Sequence, residues 1–183
     1  MIDVLDYTTM NSLEEKVPQS LDFMAEMILK NDQLYHYYSI SDRQWLSSGS
    51  LADHAYTAKL FLKAATKFVS KRYHEVAMKI LRLRKARFLD AEKQIFFDPS
   101  IDSLDEVEYL MEMNGLFSQM MLDMELIQWT NDDHRNQIEP MITYFSAMDE
   151  LLEDQIWDAE NWQFAESYVP YLRAVDTYLA SGE

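Results

Sequence analysis

The sequence contains no cysteine, three glycines and four prolines among its 183 residues. Without cysteine the chain forms no disulfide, carries no thiol nucleophile and lacks the ligands of Cys-based zinc sites. Because glycine and proline terminate or bend regular elements, their scarcity leaves few turn signals for hairpins. Valine is scarce too, whereas Met, Leu, Ala, Glu and Lys fill long periodic stretches, as is typical of helices. We therefore predict an all-α fold.

Long apolar runs are also missing. The longest charge-free apolar run of note, 115–122, is far too short to span a bilayer. The first residues, MIDVLDYTTM, are acidic and lack the basic and apolar regions of a secretory signal. We expect a cytoplasmic protein that does not associate with membranes, in the reducing compartment that the lack of cysteine suits.

The length fits one domain that buries its own core. We predict a single domain over 1–183, an antiparallel bundle of six or seven helices, with 1–48 as a possible N-terminal appendage. A short helical-repeat stack is the alternative, although no fixed-period repeat is visible. The Ser-Ser-Gly-Ser run lies in 39–50, which we interpret as a loop or hinge. Between 51 and 97 the pattern is helical, as one very long helix or two joined near Ser70–Tyr73.

The remaining helices follow from capping boxes, apolar spacing and proline positions. Pro18 should end the first of them, and Pro170 should kink or split the last. The expected ranges are 12–17, 20–38, 103–129, 140–160 and 161–180.

Positive charge is scarce and unevenly distributed. The chain has 16 Lys and Arg against 32 Asp and Glu, which gives a formal net charge of −16. Eleven of the basic residues fall between Lys59 and Lys93, whereas 94–183 holds two basic and 20 acidic residues. A mean field of this sign repels nucleic acids and anionic membranes and attracts basic partners.

Two groups of basic residues differ in their helical pattern. Lysines spaced four apart form one exposed stripe opposite an apolar face, which is either simply solvated or a docking surface for an acidic protein or a phosphate backbone. Further along, Arg84 and Arg87 share a side with Val76 and Ile80, where a buried charge needs partners, and Arg82 belongs to the same group of arginines. We predict that they form intramolecular ion pairs with acids of the C-terminal half; a partner or nucleic-acid site is the alternative. The stripe is Lys59, Lys63, Lys67 and Lys71, and the arginines are Arg82, Arg84 and Arg87.

Carboxylates occupy a wide arc of the helix predicted at 140–160. Such a face is usually only solvated. The functional alternative is that it imitates the phosphate spacing of DNA and occupies a basic groove on another protein. Its residues are Asp149, Glu150, Glu153, Asp154, Asp158 and Glu160.

Methionines and aromatic residues concentrate in the C-terminal half. We interpret Met113, Met120 and Met124, which share a face with Leu116 and Phe117, as core, with a groove for a partner helix or a homodimer contact as the alternative. Part of the aromatic region should exceed what a core needs and so lie at an interface. The methionines are Met111, Met113, Met120, Met121 and Met124, and the aromatics are Trp157, Trp162, Phe164, Tyr168, Tyr171 and Tyr178.

The motifs of the main helical enzymes are absent from the sequence. No histidine is followed by aspartate, as in metal phosphohydrolases, and none has glutamate three residues before it, as in di-iron bundles. The sequence has no glycine-rich phosphate loop and no serine-nucleophile motif. The adjacent pairs Asp53–His54 and His74–Glu75 point in different directions on a helix, so we interpret them as surface or capping residues. We therefore expect a non-enzymatic protein with no cofactor and no metal site.

These patterns favour a protein that acts by binding another protein. The leading hypothesis is a regulator or inhibitor that presents carboxylates to a basic, nucleic-acid-handling partner, in the manner of a DNA mimic. A nucleic-acid-associated subunit that uses 59–93 is the second hypothesis. A helical adaptor or chaperone-like assembly factor is the third. An apolar face left over by the core would most economically be buried in a homodimer.

Overall fold

The computed structural model describes residues 11–99, 106–126, 138–146 and 162–180, with side chains described at 16–99, 111–123, 138–146 and 169–180. This part of the chain is mostly helical, as the composition predicts, and it also holds two small antiparallel sheets. The sheets correct the prediction of an all-α fold. The choice between a bundle and a repeat stack stays a prediction.

The chain divides into two compact units, which we call the N-terminal unit (Met1–Arg87) and the C-terminal unit (Phe88–Glu183). Because two compact units can belong to one domain, the single-domain assignment stays a prediction as well. The elements in chain order are α1 (Asn11–Asn31), β1 (Tyr35–Ser39), β2 (Gln44–Ser48), α2 (Leu51–Lys67), α3 (Lys71–Phe88), β3 (Leu89–Asp90), β4 (Ile95–Phe96), α4 (Glu106–Leu126), α5 (138–146) and α6 (Trp162–Ala180).

Helix α1 runs through Pro18, so the predicted break at that residue is wrong. Proline removes only one backbone donor, and Val17 and Leu21 on either side of it are buried. The carbonyl oxygen of Pro18 accepts a hydrogen bond from the Tyr73 hydroxyl at 3.4 Å. Packing therefore outweighs the local cost of the proline.

A β-hairpin replaces both the end of the helix predicted at 20–38 and the loop predicted at 39–50. Asp32 follows α1 with a left-handed φ of 53°, a common way for a helix to stop. Strands β1 and β2 then pair antiparallel, with Tyr38 opposite Trp45. The Gly49 N–H donates to the Leu34 carbonyl at 2.9 Å and closes the base of the hairpin. Aromatic residues favour strands, and four of them lie in this hairpin.

The basic segment forms two helices, as its length favours, and the break lies just before the expected position. Helix α2 ends at Lys67 and α3 begins at Lys71. Between them, Val69 has a left-handed φ of 49° and is 91 % exposed. A β-branched residue is strained in that conformation, and no burial of its side chain compensates the strain.

We expect Val69→Gly to stabilise the protein. The left-handed conformation costs an L-residue about 1–2 kcal/mol, and the extra backbone entropy of glycine offsets about 0.5–1 kcal/mol of that gain. Urea unfolding should therefore show a rise of about 0.5–1 kcal/mol in the free energy of unfolding. Val69→Ala is the matched control, because it keeps the Cβ atom and should gain less. A Val69→Gly protein less stable than the alanine variant would contradict this explanation.

Helix α3 ends at Phe88, and a second hairpin replaces the helix predicted as far as Phe97. The Asp90 carboxylate accepts hydrogen bonds from the backbone N–H groups of Glu92 and Lys93 at 2.9 and 3.0 Å. These bonds, that of Lys93 foremost, lower the pKa of the Asp90 carboxyl. Gln94 completes the turn with a left-handed φ of 57°. A side chain that captures its own turn in this way competes with helix continuation.

The helices of the N-terminal unit are joined by polar contacts as well as by buried apolar residues. Lys79 reaches the end of α1, where its Nζ atom donates to the Leu29 carbonyl at 2.7 Å and lies 2.8 Å from an Asp32 carboxylate oxygen. Arg72 forms a further ion pair with Asp22 at 3.1 Å. A lysine at the C-terminus of a helix satisfies a free carbonyl group and complements the helix dipole.

The core of the C-terminal unit lies on α4, α5 and α6. Helix α4 is buried around most of its circumference between 111 and 122. Met113 and Met120 are therefore core residues, as interpreted from the sequence, and Met111 and Met121 are buried as well. Pro140 lies in the described part of α5, and the start of that helix, on which the first-turn prediction depends, lies outside the described residues. Pro170 lies inside α6, which continues on both sides of it, so it does not split that helix.

Two neighbouring residues of α4, Asn114 and Gly115, contact the backbones of other elements directly. The buried Asn114 side chain pairs with both backbone groups of Phe96 in β4: its Oδ1 accepts from the N–H and its Nδ2 donates to the carbonyl, each at 2.9 Å. At Gly115 the backbone of α6 approaches so closely that an added Cβ atom would lie 2.5 Å from Tyr171 Cα and 2.8 Å from the Pro170 carbonyl carbon. Glycine is therefore needed here for space rather than for a special φ angle.

Candidate charged binding surfaces

The charge of the chain divides at the boundary between the two units. The N-terminal unit holds 13 Lys and Arg against 10 Asp and Glu, a net charge of +3. The C-terminal unit holds 3 against 22, a net charge of −19. The charge asymmetry seen along the sequence thus becomes an asymmetry between two compact bodies.

The structure divides the predicted lysine stripe between two helices. Lys59, Lys63 and Lys67 share one side of α2, whereas Lys71 begins α3 beyond the turn at 68–70. One continuous helical stripe through Lys71 is therefore wrong. Lys63, Lys67 and Lys71 are all exposed, and Lys59 is half-buried. Tyr56 shares the α2 face and is 52 % exposed, so an aromatic ring accompanies the lysines.

The three arginines predicted to form ion pairs with the C-terminal half lie in different surroundings. Arg84 is 2 % exposed, on the buried side of α3 as the helical pattern predicts, and burial lowers the pKa of its guanidinium to about 9. Arg82 is exposed. Arg87 is exposed too, so its predicted position on the buried side of the helix is wrong, and its Nη1 atom donates to the Ser48 hydroxyl. Ion pairs between these arginines and acids of the C-terminal half stay predictions.

The predicted acidic face and part of the aromatic region lie outside the described residues. This applies to Asp149, Glu150, Glu153, Asp154, Asp158 and Glu160, and to the side chains of Met124, Trp157, Trp162, Phe164 and Tyr168. Of the other aromatics, Tyr171 is 5 % exposed and its hydroxyl lies 3.3 Å from the Ser146 hydroxyl. Tyr171 is therefore a core residue and not an interface anchor.

Sequence reasoning missed an aromatic cluster where α1 meets the first hairpin. The Trp45 ring centroid lies 5.0 Å from that of Tyr38, 5.8 Å from that of Tyr35 and 5.8 Å from that of Phe23. Phe23 is 47 % exposed, and Ile40 at the hairpin tip is 84 % exposed. The missed signal was the aromatic run at 35–38 followed by Trp45, which is typical of paired strands.

Ser50, Asp53 and His36 come together at the start of α2, in a set of residue types that also occurs in hydrolases. In a capping box, the Ser50 hydroxyl oxygen accepts from the Asp53 backbone N–H, and the Asp53 carboxylate accepts from the Ser50 backbone N–H. The Ser50 hydroxyl also donates to the Asp53 carboxylate, and His36 Nδ1 lies 2.8 Å from that carboxylate. Burial raises the pKa of the Asp53 carboxyl, but the bonds from His36 and Ser50 outweigh it and lower that pKa overall. The Ser50 hydroxyl donates to the carboxylate rather than to an imidazole base, so this arrangement of the three residues does not activate the serine as a nucleophile. The group serves as a helix cap, as interpreted for Asp53.

His54 is buried next to this cap. Its Nδ1 atom lies 2.7 Å from the Ser50 carbonyl oxygen, and burial lowers the pKa of its imidazole. A neutral imidazole with its Nδ1–H directed at a carbonyl is a satisfied core residue, so the interpretation of His54 as a surface or capping residue is wrong.

An open groove of about 470 Å³ lies within the C-terminal unit, between the turn of the second hairpin and α5. The turn contributes two charged side chains of opposite sign and one amide, and α5 contributes a carboxylate, a proline, a threonine and a tyrosine. The lining residues are Glu92, Lys93, Gln94, Glu139, Pro140, Thr143 and Tyr144.

The described part of the chain holds neither a metal-binding cluster nor a membrane-spanning helix. Over 11–99 and the three helical segments that follow, no group of three or more His, Asp or Glu side chains has the arrangement of a metal site. None of the helices described is long and apolar enough to cross a bilayer.

Comparison of the chain with protein-family models, with curated proteins and with solved structures finds no match. The function is therefore inferred from the residues and the geometry alone.

Proposed function

We propose that this chain is a non-enzymatic acidic protein that binds another protein, as a regulator or inhibitor, through its C-terminal unit. The observation that supports the proposal is the division of charge at the unit boundary, which leaves −19 in one compact unit. The proposed partner presents a basic surface, and proteins that handle nucleic acids are the class that most often has one. The proposed compartment is the cytoplasm.

Charge concentrated in this way mainly affects the rate at which partners associate and which partners are bound. A compact body of strong negative potential steers basic partners to it, raising association rates by factors of about 10 to 1,000 at low salt. It also repels phosphate backbones and acidic proteins, which narrows the range of partners. The contact surface that we propose is the carboxylate face at Asp149–Glu160, where the spacing of negative groups would imitate that of DNA.

Neutralising that face should weaken binding to a basic protein about tenfold or more, since each exposed charge pair contributes about 0.2–1 kcal/mol. Protamine is a suitable purified probe, and calorimetry at several salt concentrations measures both its affinity and its salt dependence. The variant carries Asp149→Asn, Glu150→Gln, Glu153→Gln, Asp154→Asn, Asp158→Asn and Glu160→Gln.

A control of equal charge change removes six acids from the N-terminal unit, and it should retain most of the wild-type affinity and salt dependence. Equal losses in the two variants would show that only total charge matters, and would contradict the proposed face. The control carries Asp3→Asn, Asp6→Asn, Glu14→Gln, Glu15→Gln, Glu26→Gln and Glu75→Gln.

A second candidate function is nucleic-acid association through the N-terminal unit. The observation that favours it is the set of exposed cations on α2 and α3, where Lys63, Lys67 and Lys71 accompany Arg82 and the only exposed acid described on these two helices is Glu75. A mobility-shift assay with DNA and RNA at low salt separates the two functions. The leading proposal predicts no retention, whereas retention that Lys→Gln changes at these positions abolish would favour the second candidate.

Binding that persists at high salt would show that neither the acidic face nor the exposed cations of α2 and α3 hold the partner. It would direct attention to the aromatic cluster around Trp45, and so to the adaptor or homodimer alternatives.

A further inference from the structure

We propose that the groove between the second hairpin and α5 receives an arginine side chain of the basic partner. The Tyr144 ring would form its apolar wall, and the Glu92 and Glu139 carboxylates would bind the guanidinium. This inference rests on the proposed function, because it names the place in the C-terminal unit where one basic group of the partner is held.

The carboxylates are available for such a contact. Glu92 and Glu139 are both exposed, and neither takes part in an ion pair with another described residue. They approach the groove from different elements, the hairpin turn and α5. Lys93 also lines the groove, so the two carboxylates exceed the local positive charge by one. A single cation of the partner would restore neutrality.

The wall of the groove favours arginine over lysine. A planar guanidinium stacks on an aromatic face and can donate to two carboxylates at once, whereas an ammonium is a compact and strongly hydrated charge. Tyr144 and Pro140 supply apolar surface beside the two acids. Thr143 and Gln94 supply neutral polar groups at the same site.

Both sides of the groove are held in place by contacts already described. The Asp90 carboxylate binds the backbone N–H groups of Glu92 and Lys93 and so fixes the turn. On the other side, the Tyr144 ring packs edge-on against Phe145 with ring centroids 5.2 Å apart, and Phe145 is fully buried. A site that is organised before binding loses less entropy when the ligand enters.

Binding of labelled hexaarginine and hexalysine peptides to the full-length protein, followed by fluorescence anisotropy at low salt, tests the inference. We expect the arginine peptide to bind about threefold more tightly, the size of an exposed cation–π contact. Tyr144→Leu should remove that preference. Glu92→Gln with Glu139→Gln should weaken hexaarginine binding roughly threefold to tenfold. The charge-matched control is Asp123→Asn with Asp176→Asn, two exposed acids of the same unit that do not line the groove.

The outcomes separate this inference from the proposed function. If both peptides bind in a salt-dependent manner but the groove variants behave like the control, the groove assignment is wrong and the proposed function stands. Equal affinity for the two peptides in the wild type would likewise overturn the arginine site. If neither peptide binds at low salt, the proposed function fails together with the groove. Because Glu92 and Glu139 are exposed, their replacement tests the site even if Tyr144→Leu impairs folding.

Discussion

Gly115→Ala should lower the free energy of unfolding by about 3 kcal/mol or more, at the upper end of the cost of overpacking a core. The added methyl group would lie 2.5 Å from Tyr171 Cα and 2.8 Å from the Pro170 carbonyl carbon. These are backbone atoms, so no side-chain rotation can relieve the clash, and α4 and α6 would have to move apart. At an exposed helical site the same replacement would stabilise by about 1 kcal/mol. The expected effect therefore has the opposite sign.

Chemical denaturation monitored by far-UV circular dichroism measures this difference. Asp123→Ala is the control, because Asp123 lies on the same helix and is exposed. It should change the free energy of unfolding by no more than about 0.5 kcal/mol. If Gly115→Ala equals or exceeds the wild type in stability, the close approach of the two helices does not exist in solution.

The second large effect is expected at Asn114. Asn114→Leu would leave the N–H and carbonyl groups of Phe96 without their side-chain partner, although the space would still be filled by a side chain of similar size. A buried polar group left unsatisfied costs about 1–3 kcal/mol, so the two together should cost about 2–5 kcal/mol. Gln119→Leu on the same helix is the comparison, since Gln119 is only half-buried and should cost far less.

Asn114→Asp adds a test with a distinct pH dependence. A protonated aspartic acid can donate to the Phe96 carbonyl and accept from its N–H, whereas the carboxylate can only accept and would be buried. The folded-state pKa of this introduced group should therefore be raised above its unfolded value of about 3.9. Stability is then fully present below that unfolded pKa and is lost as the pH rises through the folded pKa. Relative to the wild type, Asn114→Asp should be more stable at pH 4 than at pH 7, and the absence of this pH dependence would contradict the paired geometry.

Periodicity predicted those parts of the fold in which helical propensity and packing agree. Met113 and Met120 are buried as interpreted, and Arg84 lies on the buried side of α3. Asn114 and Gly115 together resemble a hairpin turn signal, yet they lie inside α4. Only contacts with Phe96 and α6, which are distant in sequence, explain their presence there.

The turns of the two hairpins were missed because they lack the usual glycine and proline signals. The turn at 40–43 contains no glycine, and Arg43 takes the left-handed conformation that glycine would normally supply. In the second hairpin the turn depends on the Asp90 side chain. In the sequence, however, Asp90 cannot be told from an acidic residue on the surface of a helix. The break at Val69 has no proline or glycine to mark it. None of the three positions carries the glycine or proline from which turns are usually predicted.

The candidate surfaces were predictable only in part. Charge counts located the acidic and basic halves, because net charge depends on composition alone. The coincidence of that charge boundary with the boundary between two compact units required the fold. The same holds for the groove, because Glu92 and Glu139 are 47 residues apart and come together through the packing of α5 beside the hairpin.

The most direct test of the account is the salt concentration at which a native partner elutes from the immobilised full-length protein. We expect a protein with a basic surface, captured from its own cell extract, that elutes at moderate salt and is not captured by the variant neutralised at Asp149–Glu160. The matched N-terminal variant should capture it as the wild type does. Elution that is independent of salt and unchanged by the neutralised face would contradict the claim that this protein acts by binding a basic partner through its acidic unit.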